Sequence, residues 1–460
     1  MLDLLAISYD FAPRVTPTAL RTTQLLRRLS AHARITLITA TPNDPNAALP
    51  GVERIVVPAA AAPGGPAWSR LSSLDPHWAW RTAATQAACA AADRQRPDAV
   101  LGFCMPYADG DVAARVAAHA DAPLVLNFDD SPTCDDMHAY PTALHAAWAR
   151  RLEDRLLRTA DATVFVSQRT AERVRLRQPR DVAERVSVIR YGIDEHATPP
   201  ADGPSTGTNS NPPNAFTAAY VGGMTGWYDA LQPRSITDRA RRLKRRLRTA
   251  LTQRPGRLDH RGSSPVFLGR ALRDAGAAAG LAPGLARLEV VGNRYPESLT
   301  QRVLLDHGVN GSVQINGPVP AADARRLMSN AELLFLALPA RGVASPGGRI
   351  SAKTYEYLDT DRPVLAAVPH GENRDYLQDW PGVVCVDPLD HAAMRIAVTP
   401  WIEAWCDEQP ARYDRSPRRA QLGYDPKARA LLQVVRSAIT AHQHLAPPAM
   451  HVTPAETTAS

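Results

Sequence analysis

"FTAAYVGG", residues 216–223, is an apolar run closed by two glycines, and it begins an alternation that the chain has already completed once. Upstream stand "LDLLAIS" (2–8), "RITLIT" (34–39), "RIVV" (54–57), "DAVLGF" (98–103), "APLVLNF" (122–128), "ATVFVS" (162–167) and "VSVIRYG" (186–192), most of them separated by stretches with helical periodicity. Downstream the rhythm returns in "ARLEVVG" (286–292), "SVQING" (312–317), "LLFLAL" (333–338), "PVLAAV" (363–368) and "VVCVD" (383–387). Apolar runs alternating with helices mark strands buried on both faces, the pattern of parallel sheets. Between the two series lies "HATPPADGPSTGTNSNPPNA" (196–215), aperiodic and rich in Pro, Gly, Ser and Asn, which is linker composition.

The expected fold class is α/β, with two Rossmann-like doubly wound parallel-sheet domains facing a cleft. Residues 1–195 form the N-terminal domain, 196–215 the linker and 216–400 the C-terminal domain; 401–443 reads as an amphipathic helical segment and 444–460 as a disordered tail. Ligands of open parallel sheets bind outside the carboxyl ends of the strands, so function belongs in the loops that follow them.

A chain of 460 residues has room for two such domains, and its 45% apolar and 22% charged residues are ordinary globular composition. No apolar run approaches the roughly 20 residues of a membrane-spanning helix, and Asp3 sits where a signal peptide is basic, so a cytoplasmic location is expected. Five scattered cysteines without CxxC spacing suggest neither a disulfide framework nor a zinc site. The net charge of +7 is concentrated in residues 234–257, where ten positions are Arg or Lys. That stretch reads either as a solvated basic helix or as a contact for an anionic membrane or lipid-linked phosphate. Nucleic acid is disfavoured, because no interleaved aromatics accompany the charge.

The loop after the first strand, "DFAPRVTPTALR", has no glycine, and the first glycine of the chain is Gly51. A GxGxxG pyrophosphate turn is therefore excluded from this half. Thr18 is placed to cap the following helix, and Asp10 is either a turn residue or a contact for a substrate hydroxyl. P-loop, zincin and GxSxG signatures are missing. "DGD" (109–111) and "DTD" (359–361) resemble metal-holding carboxylate pairs but are common by chance, and Asp361 falls where a helix C-terminal cap is expected.

The informative loop is "ASPGGRISAKTYEYL" (344–358). Gly347 and Gly348 precede a helix that starts near Ser351, and amides at a helix start with glycines beside them suit an anion. Arg349 can fork two hydrogen bonds to a phosphate, and Lys353 adds a mobile charge. Lys353 and Glu356, three apart, share one helix face. They form either a surface ion pair or, given the flanking glycines and the apolar strand that follows, part of a nucleotide site in which the acid takes ribose hydroxyls.

Here "RISAKTYEYLDTDRPVLA" (349–366) resembles the donor-site helix of family-four-like glycosyltransferases of the GT-B fold. The resemblance extends to "SYDFAP" (8–13), "APLVLNFDDSP" (122–132), "LEDRLLRTADATVFVSQRTAERV" (152–174), "VSVIRYGID" (186–194) and "AAYVGGMTG" (218–226), in family order. It implies a hexosyltransferase-type enzyme that moves a sugar from a nucleotide-sugar donor to a glycan, lipid-linked or small-molecule acceptor, with retained configuration, no metal and no cofactor. By that resemblance Glu356 holds the ribose, while Lys353, Arg349, Ser351 and the backbone at Gly347 and Gly348 hold the diphosphate. Gly222 and Gly223 lie under the donor phosphates, and Asp129 and Asp130, in the acceptor-side N-terminal domain, face the acceptor or donor sugar.

The chain departs from the family at Gly348, where many members carry a second glutamate, and at "MTGWYDA" (224–230), where an Arg and Lys pair is usual. A same-fold epimerase or hydrolase of a sugar nucleotide, or a degenerate binding subunit, are the alternatives. The expected setting is the cytoplasm, at or near the inner membrane face, in polysaccharide or glycoconjugate biosynthesis.

Overall fold

The computed structural model describes residues 1–59, 74–134, 140–196, 215–224, 226–232, 258–341 and 347–445. The basic stretch 234–257, most of the linker and the tail beyond 445 lie outside the described residues.

The first domain is built on a seven-stranded parallel sheet of order β3-β2-β1-β4-β5-β6-β7. Its strands are β1 (Leu2–Ile7), β2 (Ala33–Thr39), β3 (Val52–Val56), β4 (Ala99–Phe103), β5 (Leu124–Phe128), β6 (Ala162–Phe165) and β7 (Val186–Val188). Every residue of β4 and of β5 is buried, as expected of central strands covered on both faces. One face packs against Trp80 and the alanines of the helix Arg81–Gln95, and the other against Leu25, Leu26 and Leu29 of the helix Pro17–Leu29.

That latter helix starts two residues earlier than the sequence suggests. Thr16, not Thr18, is its N-cap, its side chain accepting from the Ala19 amide, and Pro17 occupies the first turn, where a missing N–H costs nothing.

The second domain carries a six-stranded parallel sheet of order β11-β10-β8-β12-β14-β15. Its members are β8 (Phe216–Gly222), β10 (Ala286–Gly292), β11 (Val313–Asn316), β12 (Leu333–Ala337), β14 (Val364–Ala367) and β15 (Val383–Val386). A small antiparallel pair, β9 (Leu258–Asp259) with β13 (Ala340–Arg341), stands apart from it. Two doubly wound sheets are the architecture that the repeated alternation of apolar runs implies.

The helix His391–Cys406 contains Pro400 and continues through it. The last helix, Tyr424–Leu445, leaves the second domain altogether: Tyr424, Leu431, Leu432 and Val435 are buried in the core of the first domain beside Leu4, Leu25 and Val125. The chain thus crosses between the domains twice, and the crossings are tied together. The Ile193 amide donates to the Leu422 carbonyl (2.9 Å), and the Tyr424 amide to the Ile193 carbonyl (3.2 Å). Glu195 caps the returning helix by accepting from the Tyr424 and Asp425 amides (2.8 and 2.7 Å). The helix-ending cap near 360 is Asp359, not Asp361; its amide donates to the Tyr355 and Tyr357 carbonyls.

Candidate active site

The helix Ala352–Leu358 is short, and packing rather than length stabilises it. Tyr355, Tyr357 and Leu358 are buried in the core between β12, β14 and the helix Glu372–Leu377. The Tyr357 hydroxyl accepts from the Val221 amide at 2.9 Å, fixing the helix to the end of β8. Ser351 is the N-cap in extended conformation, and Asn373 Oδ1 accepts from both the Ser351 amide (3.2 Å) and the Thr354 hydroxyl (2.7 Å). One amide of the helix start is therefore already taken by the protein.

Lys353 runs across the end of β8. Its ammonium lies 5.4 Å from the Tyr220 ring centroid, within cation–π range. The stem passes so close to Gly222 that a Cβ there would collide with it, and Gly222 also has φ +125°, a left-handed-side conformation open to glycine. The bareness of Gly222 thus makes room for Lys353. Gly223 follows, its carbonyl accepting from the Tyr220 hydroxyl (2.9 Å). Burial lowers the Lys353 pKa; Glu356 pulls it up and Arg349 adds to the fall.

Glu356 is solvent-exposed yet closely surrounded by protein, on the same helix face as Lys353. Desolvation by the protein packed around it raises its pKa, while Lys353 and Arg325 act to lower it. It lies outside the lining of the cavity that Lys353 borders.

That cavity, of about 510 Å³, opens between the domains. From the second domain it is lined by residues 348–353, including exposed Arg349; from the first it receives Asp10, Asp75, His77, Asp129 and Asp130. All four acids in the lining come from the first domain and both basic side chains, Arg349 and Lys353, from the second. A field across such a gap favours an anion on one side only.

The structure therefore brings Gly348, Arg349, Ser351, Lys353, Asp129 and Asp130 to one space, while Gly347, Gly222, Gly223 and Glu356 lie outside its lining, Gly222 against the Lys353 stem. Asp129 is a fixture of the wall. It accepts from the Arg21 guanidinium (3.2 Å) and the Tyr191 hydroxyl (2.8 Å), and Arg21, only 1% exposed, also donates to the Ile189 carbonyl (3.0 Å). Asp10 is held by Arg14, making it both a turn residue and part of the lining. Of the "DGD" acids, Asp109 accepts from the Tyr9 amide (2.8 Å) and Asp111 takes Arg81, Arg115 and Arg155.

Sequence reasoning missed Asp75 and His77. Asp75 accepts from the amides of His77 (2.8 Å) and of Ala108 (3.1 Å) at the start of the helix Ala108–Ala120. Burial, opposed by these amides, pushes its pKa up to about 6. The His77 ring sits 4.1 Å from that of Tyr9; burial lowers its pKa, with Asp10 acting upward and Arg14 downward. The Asp-Pro dipeptide at 75–76 was the available signal, and it marks only a turn.

The family model for the glycosyl transferase 4-like domain matches residues 15–192. Curated proteins provide no match to the chain. Among solved structures, sucrose-phosphate synthase from Thermosynechococcus elongatus is similar at 16% identity and TM-score 0.61, covering 96% of this chain and 100% of its own. Anabaena Alr3699/HepE in complex with UDP and glucose is similar at 14% identity and TM-score 0.55, covering 95% and 100%. The apo lipopolysaccharide outer core galactosyltransferase WaaB is similar at 10% identity and TM-score 0.53, covering 95% and 99%. The chain has the GT-B fold, and residues 15–192 of its first domain are similar to the glycosyl transferase 4-like domain. Among the described residues no helix is long and apolar enough to cross a membrane.

Proposed function

We infer that this protein is a glycosyltransferase that moves a sugar from a nucleotide-sugar donor to a hydroxyl-bearing acceptor. The observation that carries the reading is the segregation of charge across the cavity, with Arg349 and Lys353 on one wall and all four lining acids on the other. A donor diphosphate belongs on the second-domain wall. Glu356 stands one turn beyond Lys353, outside the cavity lining, and takes the ribose hydroxyls in this reading. The occupied relative supports this assignment, since the HepE structure of the same fold holds UDP and glucose.

Transfer breaks the bond between the anomeric carbon and the diphosphate, and the departing oxygens gain negative charge. Lys353 and Arg349 stabilise that charge more in the transition state than in the ground state, which is what accelerates the step. The proposed outcome is retention without a resident metal, the diphosphate receiving the acceptor proton as it leaves. The first wall offers Asp10, Asp75 and Asp130 with the hydroxyls of Thr16 and Thr18. Acids and hydroxyls hold uncharged polyols and repel phosphates, so the acceptor end is a neutral, hydroxyl-rich sugar of a glycan or glycolipid. The proposed setting is the cytoplasm, with residues 234–257 as a contact for the anionic inner membrane face.

Calorimetry with UDP, GDP, dTDP and ADP tests the assignment. One of them binds, and Glu356→Ala weakens that binding by about tenfold, the worth of about one hydrogen bond to a charged group. Unchanged affinity in Glu356→Ala contradicts the ribose assignment, and no affinity for any of the four contradicts the function.

A further inference from the structure

The loop that carries the cavity's basic side chains is gripped from two directions. From its own domain, the Glu372 amide donates to the Gly347 carbonyl (2.8 Å), and Asn373 holds Ser351 and Thr354. From the other domain, Gly348 lies against the start of the helix Gln168–Arg177, where an added Cβ would come within 2.5 Å of the Thr170 hydroxyl and 2.9 Å of the Ser167 hydroxyl.

Glu372 spans the same seam. Its residue is 5% exposed. One carboxylate oxygen accepts from the Ser167 hydroxyl (2.6 Å) and the Arg169 amide (2.9 Å); the other accepts from the Gln168 amide (2.8 Å) and the Arg190 guanidinium (3.1 Å). All four donors belong to the first domain. A carboxylate on helix-start amides gains from their aligned partial charges and from charge-assisted hydrogen bonds. The neighbouring Arg169–Asp375 pair at 2.5 Å is exposed and contributes little.

We propose that Glu372 is a positioning residue that latches the second domain onto the first and so sets the loop 347–351, with Lys353 behind it, against the acid-lined wall of the cavity. The catalytic consequence rests on the glycosyl-transfer reading, whereas the latch itself concerns the two domains alone. Because Asn373 and Tyr357 brace the donor helix from within its own domain, releasing the latch separates the walls without dismantling the second one. Nucleotide binding and turnover must then come apart.

The experiment compares full-length wild type with Glu372→Gln and Glu372→Ala, and with Asp375→Asn as a neighbour outside the latch. Three measurements are made: small-angle X-ray scattering without ligand, calorimetry with UDP, GDP, dTDP and ADP, and turnover of the hexose conjugate of the nucleotide that binds. In both Glu372 variants the radius of gyration rises by about 1 Å, nucleotide affinity changes by less than about threefold, and turnover falls by about 10- to 100-fold. Asp375→Asn matches wild type in scattering. Wild-type scattering in both Glu372 variants overturns the latch. A loss of nucleotide affinity in step with turnover overturns it too, since Glu372 would then merely support the donor loop. If the Glu372 variants open while wild type binds none of UDP, GDP, dTDP and ADP, the latch stands and the glycosyl-transfer reading fails.

Discussion

The two walls of the cavity treat charge in opposite ways. On the first-domain side Asp129 is locked by Arg21 and Tyr191, and Asp10 by Arg14, so the acids there belong to a finished hydrogen-bonded surface. On the second-domain side Lys353 has no ion pair among the described residues, and the nearest acid acting on it, Glu356, is three residues along its own helix. One wall is internally compensated, whereas on the other Lys353 stands without an ion-paired acid among the described residues. The difference teaches which wall awaits an anion and which presents fixed acceptors to a neutral partner.

The largest expected effect is on the finished wall. Arg21→Met leaves Asp129 nearly buried without its cation, so stability falls by about 3–5 kcal/mol, read by urea denaturation. A loss under about 1 kcal/mol would show that the wall is not held by this pair.

Lys353→Ala sharpens the contrast from the other side. Turnover of the nucleotide sugar falls by about 10²- to 10³-fold, because a preorganised cation is removed from the leaving group, while urea stability stays within about 0.5 kcal/mol of wild type. A variant of full activity would place the diphosphate elsewhere.

Asp75 gives the smallest effect, and its sign is set by the direction of its shift. Its carboxyl titrates at about 6 in the folded chain against 3.8 in the open one, so the native state keeps a proton that the unfolded state releases. Stability is therefore present at low pH and is lost as pH rises from about 4 to about 6, by about 1–2 kcal/mol once partial solvent exposure is discounted. Asp75→Asn removes this slope. Melting temperatures at pH 4.5 and 7.5 check it, and parallel pH dependences in the two proteins would refute the assignment.

How much of this was legible beforehand follows from the range of each interaction. Strand burial and linker composition are local, so both sheets and the crossing between them could be read from apolar runs. Lys353 and Glu356 lie within one helical turn, and their place on one helix face needed only helix periodicity. Glu372 could not be found that way. Its partners Ser167, Gln168 and Arg169 lie more than 200 positions away, and its own setting, "HGENRDYL", reads as an ordinary turn into a helix. Arg21 was hidden for the same reason, as one arginine among several in an amphipathic helix, with Asp129 on a strand end 108 positions later. Gly348 reads from the sequence as a lost glutamate. In the folded chain it is a point of contact with Ser167 and Thr170 that leaves no room for a side chain. The misplaced caps at Thr18 and Asp361 were errors of two residues, within the ordinary uncertainty of helix ends.

The most direct measurement is a crystal structure of the full chain with the nucleoside diphosphate that binds most tightly in calorimetry. The account predicts diphosphate oxygens within hydrogen-bonding distance of Lys353 and Arg349, and ribose hydroxyls on Glu356. A nucleotide seated on the acid-lined wall, or away from the helix Ala352–Leu358, would contradict it.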